Sequence, residues 1–407
     1  MTNFVATFKM KVNYLQFVIM NSGRYIFTQL CDFLPRRQFE RYVAKYAGNK
    51  YVKSFSCWNH LLVMIFGQLS NRESLRDLVS TLNAHQSKFH HLGFGDSVTR
   101  SNLSKANEIR ELRIFEDMAN LMISTARTKR VCKHDFFLDG NVYAFDSSTI
   151  SLCLSTFWWS KLHHGKGGVK LHTLLDVKTD IPAFNIVTDA NVHDSKVMDR
   201  IPYEPSAYYI FDRAYMDTEQ LYSIHQKGSY FVVREKRKMK FTIAYDCNYN
   251  KPETGVMADQ FILFEGVNPR KQYPIPIRRV VYYDREGNRT FVFYTNNQEI
   301  IPEYVALLYK YRWRVELFYK WLKQHLRIKE FYGTSENAVK IQIYCAIIAY
   351  CMIAIAEHDL RLNMETYDVL RILTISLVDK TNIVDLFRQA KKSNDYQNDT
   401  QLKLNFF

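Results

Sequence analysis

Five short apolar runs between residues 142 and 235 constrain the fold of this chain more than any other feature. The runs are VYAFD at 142–146, VKLHTLLD at 169–176, AFNIVTD at 183–189, YYIFD at 208–212 and YFVVRE at 230–235. Short apolar runs bounded by polar turns are typical of strands. Helical patterns at 193–199 and 218–226 separate the last three, and Asp194 is a possible helix cap. This order predicts an α/β fold with a mixed sheet covered by helices.

The segment before these runs, residues 1–135, is basic and helical in pattern. Our count gives 20 Lys and Arg against 10 Asp and Glu, so this third of the chain holds +10 of the net charge of +14. An apolar run at 57–69, a capping-box pattern of Ser70 and Glu73, and a periodic stretch at 102–124 predict helices.

The start of that periodic stretch is a candidate DNA-binding element. Arg100, Lys105 and Arg110 lie there, with Thr99 or Ser101 as the helix cap. A recognition helix would place such side chains in a DNA groove. An ordinary helix with a solvated basic face explains the pattern equally well.

The chain after residue 235 changes pattern twice. Residues 236–299 hold β-rich runs with Gly and Pro and no clear helix, which predicts a small inserted sheet. Helices resume at Pro302 and continue to about residue 385, and a polar tail follows from 391. The apolar window 343–356 is shorter than the roughly 20 residues that a bilayer span needs, so we expect a buried core helix and no membrane partner.

Composition narrows the class of protein and its partners. With 47% hydrophobic and 24% charged residues, 14 Gly and 9 Pro, a disordered or collagen-like chain is excluded. Excess positive charge with 15% aromatic residues favours a nucleic-acid partner. The seven scattered cysteines contain no C-x-x-C pair, and residues 1–20 lack a small-residue cleavage site. We therefore expect reduced thiols and a cytoplasmic location.

Two aspartates stand at the ends of predicted strands. Asp146 closes the run VYAF, and Asp212 closes YYIF. Open α/β sheets place their ligand sites at the carboxyl ends of strands. A single aspartate there is more often part of a turn, but two in the same context favour a site.

The helical segment 309–329 carries the third acidic candidate. At about 100° per residue, one narrow face holds a carboxylate within a set of cations. Its members are Tyr309, Arg312, Glu316, Lys320, Lys323 and Arg327. The other side is apolar: Leu308, Val315, Leu317, Phe318, Trp321, Leu322 and Leu326. Glu316 is either a surface ion-pair partner of Arg312 and Lys320 or a member of a site.

Three carboxylates beside a cationic face suit metal-dependent chemistry on nucleic acid. Oxygen ligands from Asp146, Asp212 and Glu316 select Mg²⁺ or Mn²⁺. Two such ions can activate a water or a 3′-hydroxyl and stabilise the leaving oxygen. The flanking cations would hold the phosphates.

These residues resemble a known family. The spacing of Tyr309, Arg312, Glu316 and Lys323, with FDSSTI around Asp146 and FDRAY around Asp212, is similar to DDE transposases of bacterial insertion sequences that carry a Y-R-E-K signature. The likeness extends over most of the chain, including FSCWNHLLVMIFGQLSNRESLRDL and NVHDSKVMD.

The resemblance implies a fold and roles for residues. It implies a ribonuclease-H-like core at 140–235 and 300–350, interrupted by a β-rich insertion at 236–299. A helical DNA-end-binding domain would occupy 1–135, and a helical region with a polar tail 351–407. Asp146, Asp212 and Glu316 would bind two Mg²⁺ ions, which Mn²⁺ can replace. Tyr309, Arg312 and Lys323 would contact double-stranded DNA. The charge pattern itself adds Lys320 and Arg327 on the same face, and Arg100 and Lys105 in the candidate recognition helix, as expected DNA contacts.

Three functions remain open at this point. A transposase would bind terminal inverted repeats, cut, and join the ends to target DNA, acting as a homodimer that bridges two termini near the nucleoid. Relatives in this group commonly cut through a DNA hairpin and stack a flipped base on a tryptophan of the insertion, but the only tryptophan between Asp212 and Glu316 is Trp313. The alternatives are a stand-alone metal-dependent nuclease and a non-catalytic DNA-binding regulator.

Overall fold

A computed structural model describes residues 23–95, 98–130, 138–153, 155–157, 159, 167–236, 239–326, 328, 330–362, 364 and 366–400. The described chain forms two compact units. One contains the helices up to Arg130 together with the chain from Trp321 onward, and we call it the helical unit. The other is Val131–Lys320, which we call the sheet unit.

One mixed sheet of nine strands organises the sheet unit. The strands are β1 Val142–Leu152, β2 Gly167–Asp176, β3 Ile181–Asp189, β4 Tyr208–Phe211, β5 Tyr230–Arg234, β6 Phe241–Asp246, β7 Val256–Phe264, β8 Ile277–Asp284 and β9 Arg289–Thr295. Their order is β3-β2-β1-β4-β5-β9-β8-β7-β6. The five predicted runs are all strands. The mixed α/β sheet predicted from them is therefore present.

The centre of the sheet is parallel. β4 pairs in parallel with both β1 and β5, whereas β2 and β3 pair antiparallel on the β1 side. Tyr143, Phe145, Tyr209 and Phe211 point into one buried aromatic core below these strands. Strands buried on both faces read as continuous apolar runs, which is why YYIF shows no alternation.

The strands of residues 236–299 continue this sheet instead of forming a separate one. β9 pairs antiparallel with β5, and β8, β7 and β6 follow outward as a meander. The expectation of no helix in this segment is wrong, because Val267–Gln272 forms a short helix after Gly266, whose φ of +96° ends β7.

The helices, numbered in chain order, divide between the two units. The helical unit has α1 Ile26–Cys31, α2 Arg36–Lys45, α3 Cys57–Leu69, α4 Leu75–Ala84, α5 Arg100–Ile109, α6 Leu112–Lys129, α12 Glu336–Leu360, α13 Thr366–Ser376 and α14 Ile383–Thr400. The sheet unit has α7 Ser195–Met198, α8 Thr218–Gln226, α9 Val267–Gln272 and α10 Pro302–Lys310. α11, Trp313–His325, crosses the boundary between the units.

The long helix α12 is the centre of the helical unit. It packs against α6, α3 and α5, and every residue from 343 to 356 is buried. By length and a mean hydropathy of 2.0 this helix could cross a membrane, but 94% of its most apolar window is buried within the protein. The expected core helix is present.

Two predicted helix boundaries in this unit are wrong. α4 starts after Ser74, whose hydroxyl accepts from the Asp77 N–H, whereas Ser70 ends the preceding helix. The stretch 102–124 is two helices, because Arg110 adopts an extended conformation and the Glu111 carboxylate caps α6. In both places an alternative cap a few residues away satisfies the free N–H groups.

The six cysteines that the structure describes are free thiols, and Cys57, Cys345 and Cys351 among them are buried. Residues 1–22, for which we expected no secretory signal, and residues 401–407 lie outside the described residues. The expectation that the helices end near residue 385 is wrong, because α14 continues through the polar segment from 391 to Thr400.

Candidate active site

Strand register brings Asp146 and Asp212 to the same edge of the sheet. Phe145 and Phe211 are partners in the parallel pair β1–β4. The residue that follows each of them is an aspartate, so Asp146 and Asp212 are neighbours. Adjacent strands lie about 4.8 Å apart. The expectation that Asp146 closes its strand is wrong, because β1 continues to Leu152 by pairing with β2 after β4 has ended.

The segment that carries Glu316 is broken, which corrects the predicted single helix. α10 ends at Lys310 and α11 begins at Trp313, with Tyr311 and Arg312 in a turn between them. The Arg312 N–H donates to the Tyr309 carbonyl at 3.0 Å, which closes the turn. A uniform 100° per residue therefore does not hold across residues 309–316, although the turn still directs Tyr309, Arg312 and Glu316 toward the aspartates.

Tyr309 and Arg312 connect the three carboxylates. The Tyr309 hydroxyl donates to Asp212 Oδ1 at 2.9 Å. Arg312 places Nη2 2.7 Å from Glu316 Oε1 and Nη1 3.5 Å from Asp146 Oδ2. The Arg312 guanidinium also lies 5.7 Å from the centre of the Tyr309 ring. Each of the three predicted acidic residues therefore contacts either Tyr309 or Arg312.

Burial of the site changes its protonation behaviour. Desolvation raises the pKa of Asp146 to about 6; the Ser147 N–H and Arg312 oppose this, and the charges of Glu316 and Asp212 add to it. Desolvation and the Asp212 charge raise the pKa of Tyr309 to about 12. The Ser147 N–H and Arg312 therefore offset only part of the desolvation of the Asp146 carboxylate. A perturbed pKa of this kind is typical of functional sites.

The donor set fits a hard divalent cation by its chemistry. It consists of carboxylate oxygens, with the side chains of Asp146 and Glu316 exposed by 21% and 34%. Among the described residues no three His, Cys, Asp or Glu side chains form a ready metal-ligand group. The Arg312 guanidinium contacts both Asp146 and Glu316, and its buried Nε has no hydrogen-bond partner.

Sequence reasoning missed two side chains that hold this arrangement. The Tyr319 hydroxyl lies 2.8 Å from the Asp146 carbonyl and 2.9 Å from that of Leu171, so it joins α11 to β1 and β2. Arg314 forms a two-point ion pair with Asp180 in the β2–β3 turn, with Nε 2.9 Å from Oδ1. The helical periodicity gave no signal for either residue, because Tyr319 is not among the residues of the predicted apolar side and Arg314 lies outside the predicted cationic face.

The other predicted DNA contacts have different environments. Lys320 is exposed and Lys323 is half-buried, while Arg327 lies outside the described residues. Leu317, expected on the buried side, is 43% exposed.

The candidate recognition helix exists as α5 with a Thr99 cap, and both Arg100 and Lys105 are exposed on it. Arg110 is buried and donates to the Phe55 carbonyl, so that residue is not available to DNA. The DNA-binding role of α5 stays a prediction.

A cleft of about 1150 Å³ opens beside the site within the sheet unit. Its walls include aromatic and cationic side chains from β8, β9 and the turn after α10. Trp313 is 56% exposed there, and the guanidinium groups of Arg234 and Arg289 lie 4.9 and 4.7 Å from the centre of the Phe291 ring. Acidic side chains such as Glu253 and Glu286 also line it. Flat rings next to guanidinium groups are a surface on which unpaired bases stack.

Sequence comparison finds relatives named as transposases in three bacteria. A transposase named y4zB from Sinorhizobium fredii is 33% identical over 52% of this chain and 59% of its own length. A transposase for insertion sequence element IS5377 from Geobacillus stearothermophilus is 28% identical over 51% of this chain and 54% of its own length. The chain therefore spans little more than half the length of these two relatives.

A transposase for insertion sequence element IS4SA from Synechocystis is 24% identical over 78% of this chain and 87% of its own length. The solved piggyBac transposase synaptic complex with hairpin DNA has a TM-score of 0.45 and 10% identity, over 95% of this chain and 88% of that chain. Residues 22–95 match a domain of unknown function, DUF4372. The family model described as Transposase DDE domain matches residues 138–352, more than half of the chain, and the chain belongs to that family.

Proposed function

We propose that this chain is a DNA transposase that binds the terminal inverted repeats of its element, cleaves DNA in a divalent-metal-dependent reaction and joins the ends to target DNA. The observation that carries the proposal is the register of β1 and β4, which sets Asp146 beside Asp212, together with the Arg312 contacts to Asp146 and Glu316. Membership of a DDE family supports the same reaction.

Asp146, Asp212 and Glu316 are the residues that would hold Mg²⁺, or Mn²⁺ in its place, and we propose two ions. When bound, such ions supply an activated water or 3′-hydroxyl and stabilise the leaving oxygen. The protein's own contribution is orientation. Tyr309 and Arg312 keep the three carboxylates hydrogen-bonded and directed at one place, and Tyr319 fixes the β1 backbone at Asp146.

Single substitutions of the three acids test this proposal. Asp146→Ala, Asp212→Ala and Glu316→Ala should each abolish cleavage of DNA carrying the element's ends, while binding to those ends stays largely intact. Glu219→Ala, an exposed acid on α8 in the same unit, is the matched control and should cleave normally. Cleavage retained by any of the first three variants would remove that residue from the site.

The two rival functions give different products. A stand-alone nuclease cuts but does not join, so supplying precut ends and a target plasmid should yield joined product only from a transposase. A non-catalytic regulator would bind the ends without metal-dependent cleavage. The presence of the three acids argues against a non-catalytic regulator, and membership of the Transposase DDE domain family supports the transposase over a stand-alone nuclease.

We further propose that Lys320, Lys323, Arg327, Arg100 and Lys105 contact DNA phosphates, and that Tyr309 and Arg312 lie next to the cleaved bond. A phosphate contact contributes to the salt dependence of binding. Lys105→Ala should weaken binding about equally for all DNA sequences and lower the slope of log affinity against log salt by about 1. Measured by fluorescence anisotropy between low and moderate salt, an unchanged slope would contradict the contact.

The remaining assignments rest on the same function. The order β3-β2-β1-β4-β5 with β2 antiparallel supports a ribonuclease-H-like core at 140–235 and 300–350, with 236–299 inserted. We place the chain in the Y-R-E-K group from the spacing of its signature residues. Residues 1–135 would bind DNA ends and 351–407 form the helical C-terminal region. A homodimer would bridge two ends, at the nucleoid in the cytoplasm.

A further inference from the structure

Asp194 occupies a capping position but does not cap. It precedes α7, yet its carboxylate accepts no hydrogen bond from that helix. Instead Asp194 Oδ1 accepts from Ser147 Oγ at 2.9 Å and from Lys170 Nζ at 3.1 Å. Lys170 also donates to the Val192 carbonyl at 3.0 Å, so the lysine fixes both ends of the segment that presents Asp194.

Ser147 links this carboxylate to the site. Its side chain binds Asp194, and its backbone N–H donates to Asp146 Oδ1 at 2.8 Å. Because neighbouring residues of a strand point to opposite faces, Asp194 lies behind the sheet and Asp146 in front of it. One serine therefore has hydrogen bonds to a carboxylate on each face.

The surroundings of Asp194 leave little room for Ser147 to move. Ser147 pairs across the ladder with His172, which is fully buried. His172 Nε2 lies 2.9 Å from Thr188 Oγ1, while its Nδ1 lies 4.0 Å from Asp194 Oδ1 with no hydrogen-bond partner. Lys170 is thus the charge partner of Asp194, and it is buried to more than four fifths.

We propose that Asp194 is a positioning residue for Asp146, acting through Ser147, with Lys170 as its charge partner. This rests on the proposed function, in which Asp146 holds a divalent cation. Outer partners that orient ligands typically change metal affinity by 10-fold to 100-fold when they are removed. Asp194 therefore sets the orientation of a carboxylate that it does not touch.

The test measures Mn²⁺ binding to the purified full chain without DNA, by electron paramagnetic resonance. Asp146→Ala identifies the binding that depends on the site. Asp194→Ala and Ser147→Ala should weaken that binding about 10-fold or more. Ser147→Thr, which keeps the hydroxyl, should restore it relative to Ser147→Ala. Asp199→Asn, an exposed acid at the other end of α7, is the control and should bind like the unmodified chain.

A role limited to stability predicts a different pattern. Asp194→Ala leaves Lys170 unpaired and can destabilise the fold, so Ser147→Ala, which removes one hydroxyl, is the decisive variant. If Ser147→Ala and Asp194→Ala bind Mn²⁺ normally while Asp146→Ala does not, the positioning role is wrong and the proposed function stands. If Asp146→Ala also binds normally, the metal role of Asp146 fails, and the positioning role with it.

Discussion

At the scale of single residues, buried polar side chains in this protein form defined hydrogen bonds that sequence alone does not show. Asp146, Tyr319 and Asp194 all use such bonds near the site. His60 is the corresponding case in the helical unit, where it is fully buried with Nε2 2.7 Å from Asn107 Oδ1. For Asp146 and His60, burial is the main cause of the altered pKa, and the neighbouring groups modify it.

His60 predicts acid sensitivity of the helical unit. Burial, and secondarily Arg110, lowers the pKa of His60 to about 3. The unfolded chain then takes up a proton below about pH 6.5 that the folded chain does not, so stability falls as pH drops from there toward 3. The loss is about 1.4 kcal/mol per pH unit, or about 2 kcal/mol between pH 7 and pH 5.

The measurement is the free energy of opening of α3 by hydrogen exchange at the two pH values. His60→Gln should be less stable at pH 7 and should lose up to about 2 kcal/mol less between pH 7 and pH 5. His90→Gln, at an exposed histidine of the same unit, is the control. An equal pH dependence in His60→Gln and the unmodified chain would show that His60 titrates normally in the fold.

At the scale of secondary-structure elements, the Arg314–Asp180 ion pair holds the start of α11 against the β2–β3 turn. It joins the first turn of that helix to the β2–β3 turn, two residues before Glu316. Asp180 has a φ of +58°, a conformation that Asn and Asp tolerate better than most residues. Asp180→Asn therefore removes the charge without straining the turn.

We expect Arg314→Lys and Asp180→Asn to lower the rate of cleavage more than the affinity for DNA ends, because the two-point geometry that orients α11 is lost. The measurement is the single-turnover cleavage rate beside end binding for each variant. Arg388→Lys, which changes an exposed ion pair with Asp385, should alter neither. A proportional loss of rate and binding would instead indicate general unfolding.

The elements also show how far the sequence could predict this fold. The runs at 142–146 and 208–212 are correct as strands because strand patterns are local. The parallel pairing of β1 with β4 sets Asp146 beside Asp212, although β1 continues beyond Asp146. The break at Tyr311 and Arg312 was not predictable, since both residues fit a continuous helix by their intrinsic propensity. The pairing of β9 with β5 was not predictable either, because the apolar pattern of a strand does not show which other strand it pairs with.

At the scale of the whole molecule, the ends of the chain belong to one unit. α12 packs on α3, α5 and α6, although the whole sheet unit separates them in sequence. The Gln29 side chain in α1 adds another contact between distant parts of the sequence, because it donates to the Thr381 carbonyl at 2.6 Å. Helices so joined should open as one cooperative group.

A substitution in α12 tests this cooperativity. Ile347→Asn places a polar group at a fully buried position and should cost about 3 kcal/mol or more. Hydrogen exchange followed by mass spectrometry should show faster exchange in α3 and α6, with little change in β1, β4 and β5. Ile375→Asn, at a residue that is 80% exposed on α13, should change none of these. Faster exchange confined to α12 would contradict a shared unit.

The ladder between β1 and β4 has a consequence for how such chains can vary. Backbone hydrogen bonds, and not the number of intervening residues, determine the spacing of Asp146 and Asp212. The segment that connects the two strands can therefore gain or lose residues during evolution without changing the distance between the two acids. A one-residue slip within either strand would instead turn its aspartate to the opposite face and destroy the site at once.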